Sequence, residues 1–265
     1  MKCHSCGLVQ FTIRPTEKEL IDHYGNYPVS GSLSEITKKR YSEILDTFEP
    51  FRKTGRILDI GCGEGFFLEE AKKRGWEVHG TEFSDLYIPI CEDKGISMKH
   101  GRLDTSHYQS KSFDLITWFE VIEHINTPNE ELGKFTELLR AGGAVYLTTP
   151  NIASLSRYIL KGNWTAITYP DHLCYYSQSS LKRLFSSHGF SAVSVKTTGI
   201  SIGRVADSLR KHSRQEEQHF HEIDRQWQER LEKPGMMHWL KSFANSLLDM
   251  TGKGDSLKAL FRLEE

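Results

Sequence analysis

From Arg56 onward, short apolar runs alternate with amphipathic stretches, the pattern of strands separated by helices. Arg56–Ile60 reads as a short buried strand, closed by the cluster Gly61, Gly63 and Gly65. Phe66–Arg74 follows as a helix stopped by Gly75, then Trp76–Glu82 as a second strand. Leu86–Lys94 reads as a helix ending at Gly95, with Pro89 disturbing its first turn, and Ile96–His100 as a weak third strand. Phe113–Phe119 is a strong fourth strand, Asn129–Leu139 a helix ending before Gly142 and Gly143, and Ala144–Thr149 a fifth strand closed by Pro150. Upstream, Leu33–Phe48 forms a helix capped by Ser32 or Ser34, with Ile36, Tyr41, Ile44, Leu45 and Phe48 on one face. Downstream, Ser179–Ser187 is a helix, Phe190–Lys196 a sixth strand and Ser256–Arg262 a closing strand.

This alternation predicts an α/β fold with a mostly parallel sheet and helices on both faces. Residues 1–30 form an irregular leader with one small helix near Glu17–Tyr24. Residues 31–199 form the main domain, 200–253 a polar helical insertion, and 254–265 the closing strand. Ligands of such sheets bind beyond the carboxyl ends of the strands, which puts the chemistry after Ile60, Thr81, His100, Thr117 and Thr149.

Composition narrows the class only modestly. The 265 residues are 38% hydrophobic and 26% charged, with formal net charge −1, so bulk electrostatics do not point to nucleic acid. No apolar run is long enough to span a bilayer, and Met1–Gln10 lacks the apolar core of a signal peptide. Five cysteines without an even framework fit a reducing compartment, and a cytoplasmic location is expected.

The candidate chemistry starts at Leu58-Asp59-Ile60-Gly61-Cys62-Gly63-Glu64-Gly65, where a buried strand runs into three alternating glycines. Glycines let the turn tighten and bring backbone amides close to a ligand. The spacing is G-x-G-x-G, whereas a dinucleotide loop cradling a pyrophosphate reads G-x-G-x-x-G. Asp59 suits a cationic amino group, and Glu82, at the end of the second strand, suits a pair of ribose hydroxyls.

Leu58–Gly65 resembles motif I of the class I S-adenosylmethionine-dependent methyltransferases, and the similarity covers most of residues 40–199. It includes Phe113-Asp114-Leu115-Ile116 and Leu139-Arg140-Ala141-Gly142-Gly143. Glu120-Val121-Ile122-Glu123-His124, followed by Thr149-Pro150-Asn151, is similar to the branch of ubiquinone-type O-methyltransferases and bacterial polysaccharide-cluster enzymes. The resemblance implies a Rossmann-like, seven-stranded sheet whose last strand is antiparallel. It implies S-adenosyl-L-methionine as cofactor, held by Asp59, Gly61, Cys62, Gly63 and Glu82. Phe83 would pack on ribose or adenine, Leu103 and Asp104 would frame the adenine, and Phe119 would line the methionine arm.

Glu120, Glu123 and His124 follow the fourth strand, and His172 follows the fifth. If the turn is helical, positions i, i+3 and i+4 share a face. Three roles fit the group: ligands of a divalent metal ion, a general base at His124 or His172 acting with Glu123, or caps and backbone hydrogen bonds around the cofactor loop. The family resemblance supplies a Glu-x-x-Glu-His pattern with a later His in metal-dependent relatives.

Tyr158, Trp164, Tyr169, Tyr175 and Tyr176 either wall an acceptor pocket or pack a long loop. In the insertion, Leu209, Phe220, Ile223, Trp227 and Leu231 give one apolar face, and Trp239, Leu240, Phe243, Leu247 and Leu248 a second. These faces suit packing on the core, a dimer surface, or peripheral contact with a membrane. Cys3-His4-Ser5-Cys6 resembles half a zinc ribbon, either a remnant of the paired modules in related enzymes or a zinc site completed by a His or a partner chain, while Cys91 and Cys174 are expected in core or lid. The expected activity is methyl transfer to a hydroxyl of a small molecule, sugar or carrier-linked glycan. N-methylation, RNA 2′-O-methylation, a nicotinamide oxidoreductase and a non-catalytic cofactor-binding regulator remain the alternatives.

Overall fold

The structure, a computed structural model, describes residues 1–13, 15, 16, 19, 29, 31–199 and 236–264. Strands β1 (Val9–Gln10), β2 (Arg56–Ile60), β3 (Glu77–Glu82), β4 (Ser97–His100), β5 (Phe113–Phe119), β6 (Leu139–Pro150), β7 (Cys174–Tyr175), β8 (Phe190–Thr198) and β9 (Ser256–Leu263) alternate with helices. The helices are α1 (Glu35–Phe48), α2 (Phe66–Lys73), α3 (Tyr87–Asp93), α4 (Pro128–Leu138), α5 (Leu155–Leu160), α6 (Gln178–Ser186) and α7 (Met236–Thr251).

Seven strands form one sheet in the order β4-β3-β2-β5-β6-β9-β8. The first five are parallel, and β9 inserts antiparallel between β6 and β8. The α/β class, the Rossmann-like sheet and the inverted last strand are therefore as expected. The order reverses between β2 and β5, and that switch point opens a crevice beyond their carboxyl ends.

Alternation along the strands divides two cores. On one face, Phe48 of α1 and Phe67 of α2 pack on Leu115, Tyr146 and Leu260 of the sheet. On the other, Phe135 of α4 and Phe185 of α6 pack on Trp118, Leu147 and Phe261 of the sheet. Ser34, one of the two serines considered, caps α1 by accepting the Thr37 N–H at 3.2 Å.

Several elements differ from the sequence pattern. Strand β6 starts at Leu139 rather than Ala144, because Leu139 pairs with Phe113 before a bulge interrupts the register. The left-handed backbone of Gly142 (φ 71°) lies in that irregular stretch. The lid contains helix α5, capped by Ser154, where only loop was expected. The leader is not wholly irregular: Val9 and Gln10 pair antiparallel with Tyr175 and Cys174. The helix expected near Glu17–Tyr24 and the apolar face from Leu209 to Leu231 lie outside the described residues. In α7, Phe243 and Leu247 are exposed and Leu248 is half-buried. No helix among the described residues is long and apolar enough to cross a membrane.

Candidate active site

The glycine turn is built by backbone hydrogen bonds to the neighbouring strand. Gly61 and Cys62 N–H groups both donate to the Thr81 carbonyl, at 2.9 and 3.1 Å. Gly61 lies at φ 66°, and an added Cβ would come within 2.9 Å of Val121. Gly63, at φ 54°, has nothing within 4 Å of that position, so it faces the open crevice. Glu82 secures the turn from below: one carboxylate oxygen accepts the Gly63 N–H at 2.8 Å, the other the N–H groups of Phe83 and Ser84. Cys62 packs toward Met98 and Cys91 beneath the turn.

Asp59, buried on the last turn of β2, accepts the Thr117 hydroxyl at 2.7 Å. Burial, helped by the nearby Glu82 charge and opposed by the Thr117 bond, pushes its carboxyl up to about 7. Burial and the Asp59 charge together push the Tyr41 hydroxyl up to about 12. Aromatic rings close this side: Phe119 lies 4.8 Å from Phe67, 5.4 Å from Tyr146 and 6.0 Å from Tyr41, centroid to centroid. Phe83 is half-buried at the β3 end, its carbonyl accepting from His100. Leu103 is buried in the core, its carbonyl taking the Lys134 ammonium, while Asp104 is exposed and caps a short turn at Ser106.

Across the crevice stands the acid and histidine group. The turn after β5 is not α-helical. Glu120 keeps a strand bond, donating its N–H to Thr148, while its backbone enters the left-handed region at φ 51°, and a 3-10 turn then covers Ile122–His124. The helical face expected for positions 120, 123 and 124 is thus not formed. Glu123, His124 and His172 do come together, each offering a donor atom within 4.8 Å of the others. Glu120, also expected among the metal ligands, is exposed and is not part of this group.

Glu123 is 1% exposed. One oxygen accepts the Thr149 hydroxyl at 2.8 Å, and the other is buried with no hydrogen-bond partner among the described residues. Burial, reinforced by Glu120, pushes its carboxyl up to about 8. His124 Nδ1 lies 2.8 Å from the Asp171 carbonyl and 3.2 Å from its carboxylate. Burial alone would lower the His124 pKa, but Asp171 and Glu123 outweigh it and hold the imidazole above its usual value. His172 Nδ1 lies 2.8 Å from the Ala166 carbonyl, and burial plus the His124 charge hold its pKa low. A backbone carbonyl at Nδ1 places the proton there and leaves the lone pair on Nε2, the arrangement of a positioned base or metal ligand.

Three contributors were not singled out from sequence. Thr117 and Tyr41 surround Asp59, and no motif marks them. Asp171 had a signal, since it directly precedes His172, but its pairing with His124 arises only from folding. Of the lid aromatics, Trp164, Tyr175 and Tyr176 are buried, Trp164 and Tyr175 in a small core of their own, while Tyr158 is 78% exposed, so most serve packing. Cys91 and Cys174 are buried, as expected. Among the described residues, no third donor joins Cys3 and Cys6 in a metal-sized group.

Comparison with known proteins gives three results. A family of methyltransferase domains matches residues 33–195. A ubiquinone biosynthesis O-methyltransferase of Roseobacter denitrificans is 29% identical over 145 residues, covering 47% of this chain and 58% of that protein. The Ruegeria enzyme of the same name is 32% identical over 113 residues, 40% of this chain and 45% of its own length. The chain thus spans about half the length of these relatives. Among solved structures, a SAM-dependent methyltransferase from Archaeoglobus fulgidus superposes with a TM-score of 0.56 at 18% identity, covering 93% of this chain and all of that one, a likeness of fold alone.

Proposed function

The chain belongs to the methyltransferase-domain family, with the class I S-adenosylmethionine-dependent fold, and from that premise we propose that it methylates a hydroxyl on a small molecule, free or attached to a sugar or carrier. The observation that carries this reading is the meeting, at one end of the sheet, of a glycine turn between two carboxylates and a buried acid and histidine group.

The residues fit the nucleoside donor. Gly63 opens onto space that a side chain would fill, and Asp59 and Glu82 offer anionic anchors for an amino group and a ribose. When bound, S-adenosylmethionine supplies a methyl group on a sulfonium, open to in-line attack. Phe119 and Tyr41 exclude water beside that position. His124, oriented by Asp171, takes the hydroxyl proton on Nε2, and Glu123 and His172 fix its surroundings. Holding both reactants in line supplies much of the rate. The hydroxyl as acceptor is supported by the names of the Roseobacter and Ruegeria relatives.

A second reading of the same group rests on the unpartnered Glu123 oxygen, which suits a cation. Glu123, His124 and His172 would hold a divalent metal ion, which would lower the pKa of the bound hydroxyl.

Calorimetry with S-adenosylhomocysteine tests the donor site, with micromolar or tighter binding expected. Turnover on a panel of phenols, catechols and sugars, with and without chelator, tests the acceptor chemistry. His124→Ala should cost at least ~100-fold in turnover with donor affinity unchanged. Chelator-insensitive turnover removes the metal reading, and wild-type turnover in His124→Ala removes the base.

A further inference from the structure

Beneath the glycine turn lies a cluster of sulfur that the methyl-transfer reading does not use. Cys62, between Gly61 and Gly63, brings its Sγ to 3.9 Å from Met98 Sδ on β4. Cys91 of α3 donates its thiol to the Gly63 carbonyl at 3.2 Å, and Cys62 Sγ lies 3.8 Å from the same oxygen. The two free thiols also hydrogen-bond each other, Cys62 donating to Cys91. Two glycines make the room for them. A Cβ at Gly80 would come within 2.8 Å of Cys62 Sγ, and one at Gly65 within 2.8 Å of Cys91 Sγ.

The pair is asymmetric. Cys91 is buried, whereas Cys62 is half-buried in a turn that opens at Gly63 onto the crevice. A small solute therefore reaches Cys62 first. The bond from Cys62, aided by the Lys94 ammonium, holds the Cys91 thiol below its ordinary pKa against the effect of burial. The same bond, with burial, pushes the Cys62 thiol up. Once the pair has shed one proton, the other is shared between the sulfurs, and either sulfur serves as the nucleophile. A reachable sulfur backed by a second one inclined to the thiolate is the arrangement of a sensing and a resolving cysteine.

We propose that a peroxide links Cys62 to Cys91 in a reversible disulfide, and that this bond shuts the donor site. The inference rests on the donor-site reading above and adds its regulation. The Cys62 sulfur attacks one peroxide oxygen: an S–O bond forms, the O–O bond breaks, and the departing hydroxide takes a proton to become water. Cys91 then attacks the Cys62 sulfur: the S–S bond forms, the S–O bond breaks, and the hydroxide leaves as water with the proton from Cys91. Two thiols are oxidised by two electrons, and one peroxide is reduced to two waters. A disulfide holds its sulfurs about 2 Å apart, so the turn is drawn toward α3. It also removes the thiol hydrogen that the Gly63 carbonyl accepts. Gly63 N–H is the group that meets Glu82, so the anchor proposed for the ribose shifts with it.

The test uses the full chain carrying Cys3→Ser and Cys6→Ser, so that the N-terminal pair consumes no oxidant. It is treated with hydrogen peroxide, mapped as unreduced peptides, and titrated with S-adenosylhomocysteine before oxidation, after it, and after dithiothreitol. A peptide joining Cys62 to Cys91 should appear, donor-product affinity should fall at least about tenfold, and dithiothreitol should restore it. Cys91→Ser keeps a hydroxyl to donate to Gly63 and forms no link, so its affinity should be the same with and without peroxide. Cys91→Ala should be equally indifferent, which covers the case in which a buried serine unfolds the protein. Absence of the linked peptide, linked protein that binds like the reduced form, or peroxide sensitivity retained in both Cys91 variants overturns the switch. If the reduced protein does not bind S-adenosylhomocysteine, the donor-site reading falls by itself. The switch is then read from hydrogen exchange over residues 57–65, which should change on oxidation in the parent and not in Cys91→Ser; unchanged exchange there removes the switch as well.

Discussion

Asp59 is an acid placed to meet a cation while its own surroundings resist the charge it needs. Its carboxyl sits up to about 7 in the empty protein because burial outweighs the Thr117 hydrogen bond. An ammonium ligand favours the ionised form, so binding pulls a proton off Asp59 when the pH is below that value. Donor affinity should therefore weaken by up to ~tenfold per pH unit on the acid side of 7 and level off above it. Calorimetry of S-adenosylhomocysteine at pH 5.5, 6.5 and 8 measures this, and Asp59→Asn should flatten the slope while lowering affinity at pH 8. The sign for stability is the reverse. A folded-state pKa raised from the ordinary 3.8 contributes stability at low pH that is lost as pH rises through 7. The empty protein should lose this contribution progressively from about pH 4 to pH 7 and level off above that, and ligand should restore it.

At the scale of elements, one buried carboxylate joins three of them. Asp114 on β5 is fully buried, and one oxygen accepts the N–H groups of Lys53, Thr54 and Gly55 at 2.7–2.8 Å, fixing the loop that delivers β2. Its other oxygen takes Arg140 Nε at 2.5 Å, and Arg140 also reaches the Phe51 carbonyl, so the start of β6 is tied to the same point. Those donors overcome burial and hold the Asp114 carboxyl below its usual range. Asp114→Ala leaves Arg140 without its partner and three amides unanswered, and should cost ~3–5 kcal/mol in denaturant unfolding. Donor affinity of the surviving folded fraction should be unchanged. Both residues stand in stretches that looked like family motifs, yet nothing in their spacing revealed that they meet. The central strands β2 and β5 were legible because each is a dense apolar run, as parallel strands buried on both faces must be, whereas the edge strand β4 has no buried residue and read only weakly. β1 was not legible, since two residues form a strand only through a partner far along the chain. The early start of β6 was hidden for a similar reason: Arg140-Ala141-Gly142-Gly143 carries turn residues, and pairing with Phe113 overrides that local preference. The donor site was readable for its glycines and acids, which are local to one turn. The acceptor side was readable only as a set of residue types, because Glu123, His124 and Asp171 meet through tertiary packing.

Across the whole molecule, the N-terminal strand is wired to the acid and histidine group through two bonds. The Phe11 N–H donates to Leu173 at 3.0 Å, and the Leu173 N–H donates to the Glu123 carbonyl at 2.7 Å. The Phe11 ring meets Tyr169 at 5.6 Å and Tyr175 at 6.1 Å, both edge-on, so the segment holding Asp171 and His172 is clamped between β1 and the turn after β5. None of these contacts touches the glycine turn. Loosening the clamp should therefore separate the two halves of the site: turnover falls while donor affinity holds. Phe11→Ala removes the rings' partner but leaves the backbone bonds. It should cost ~1–3 kcal/mol locally, read as faster hydrogen exchange over residues 168–176 with residues 57–65 unaffected. Turnover should fall several-fold in parallel, and adding the substitution Phe11→Leu in place of Ala should recover part of both. Exchange that stays at the wild-type level in Phe11→Ala, or a loss of donor binding equal to the loss of turnover, would mean that the leader does not set the geometry of His124 and His172.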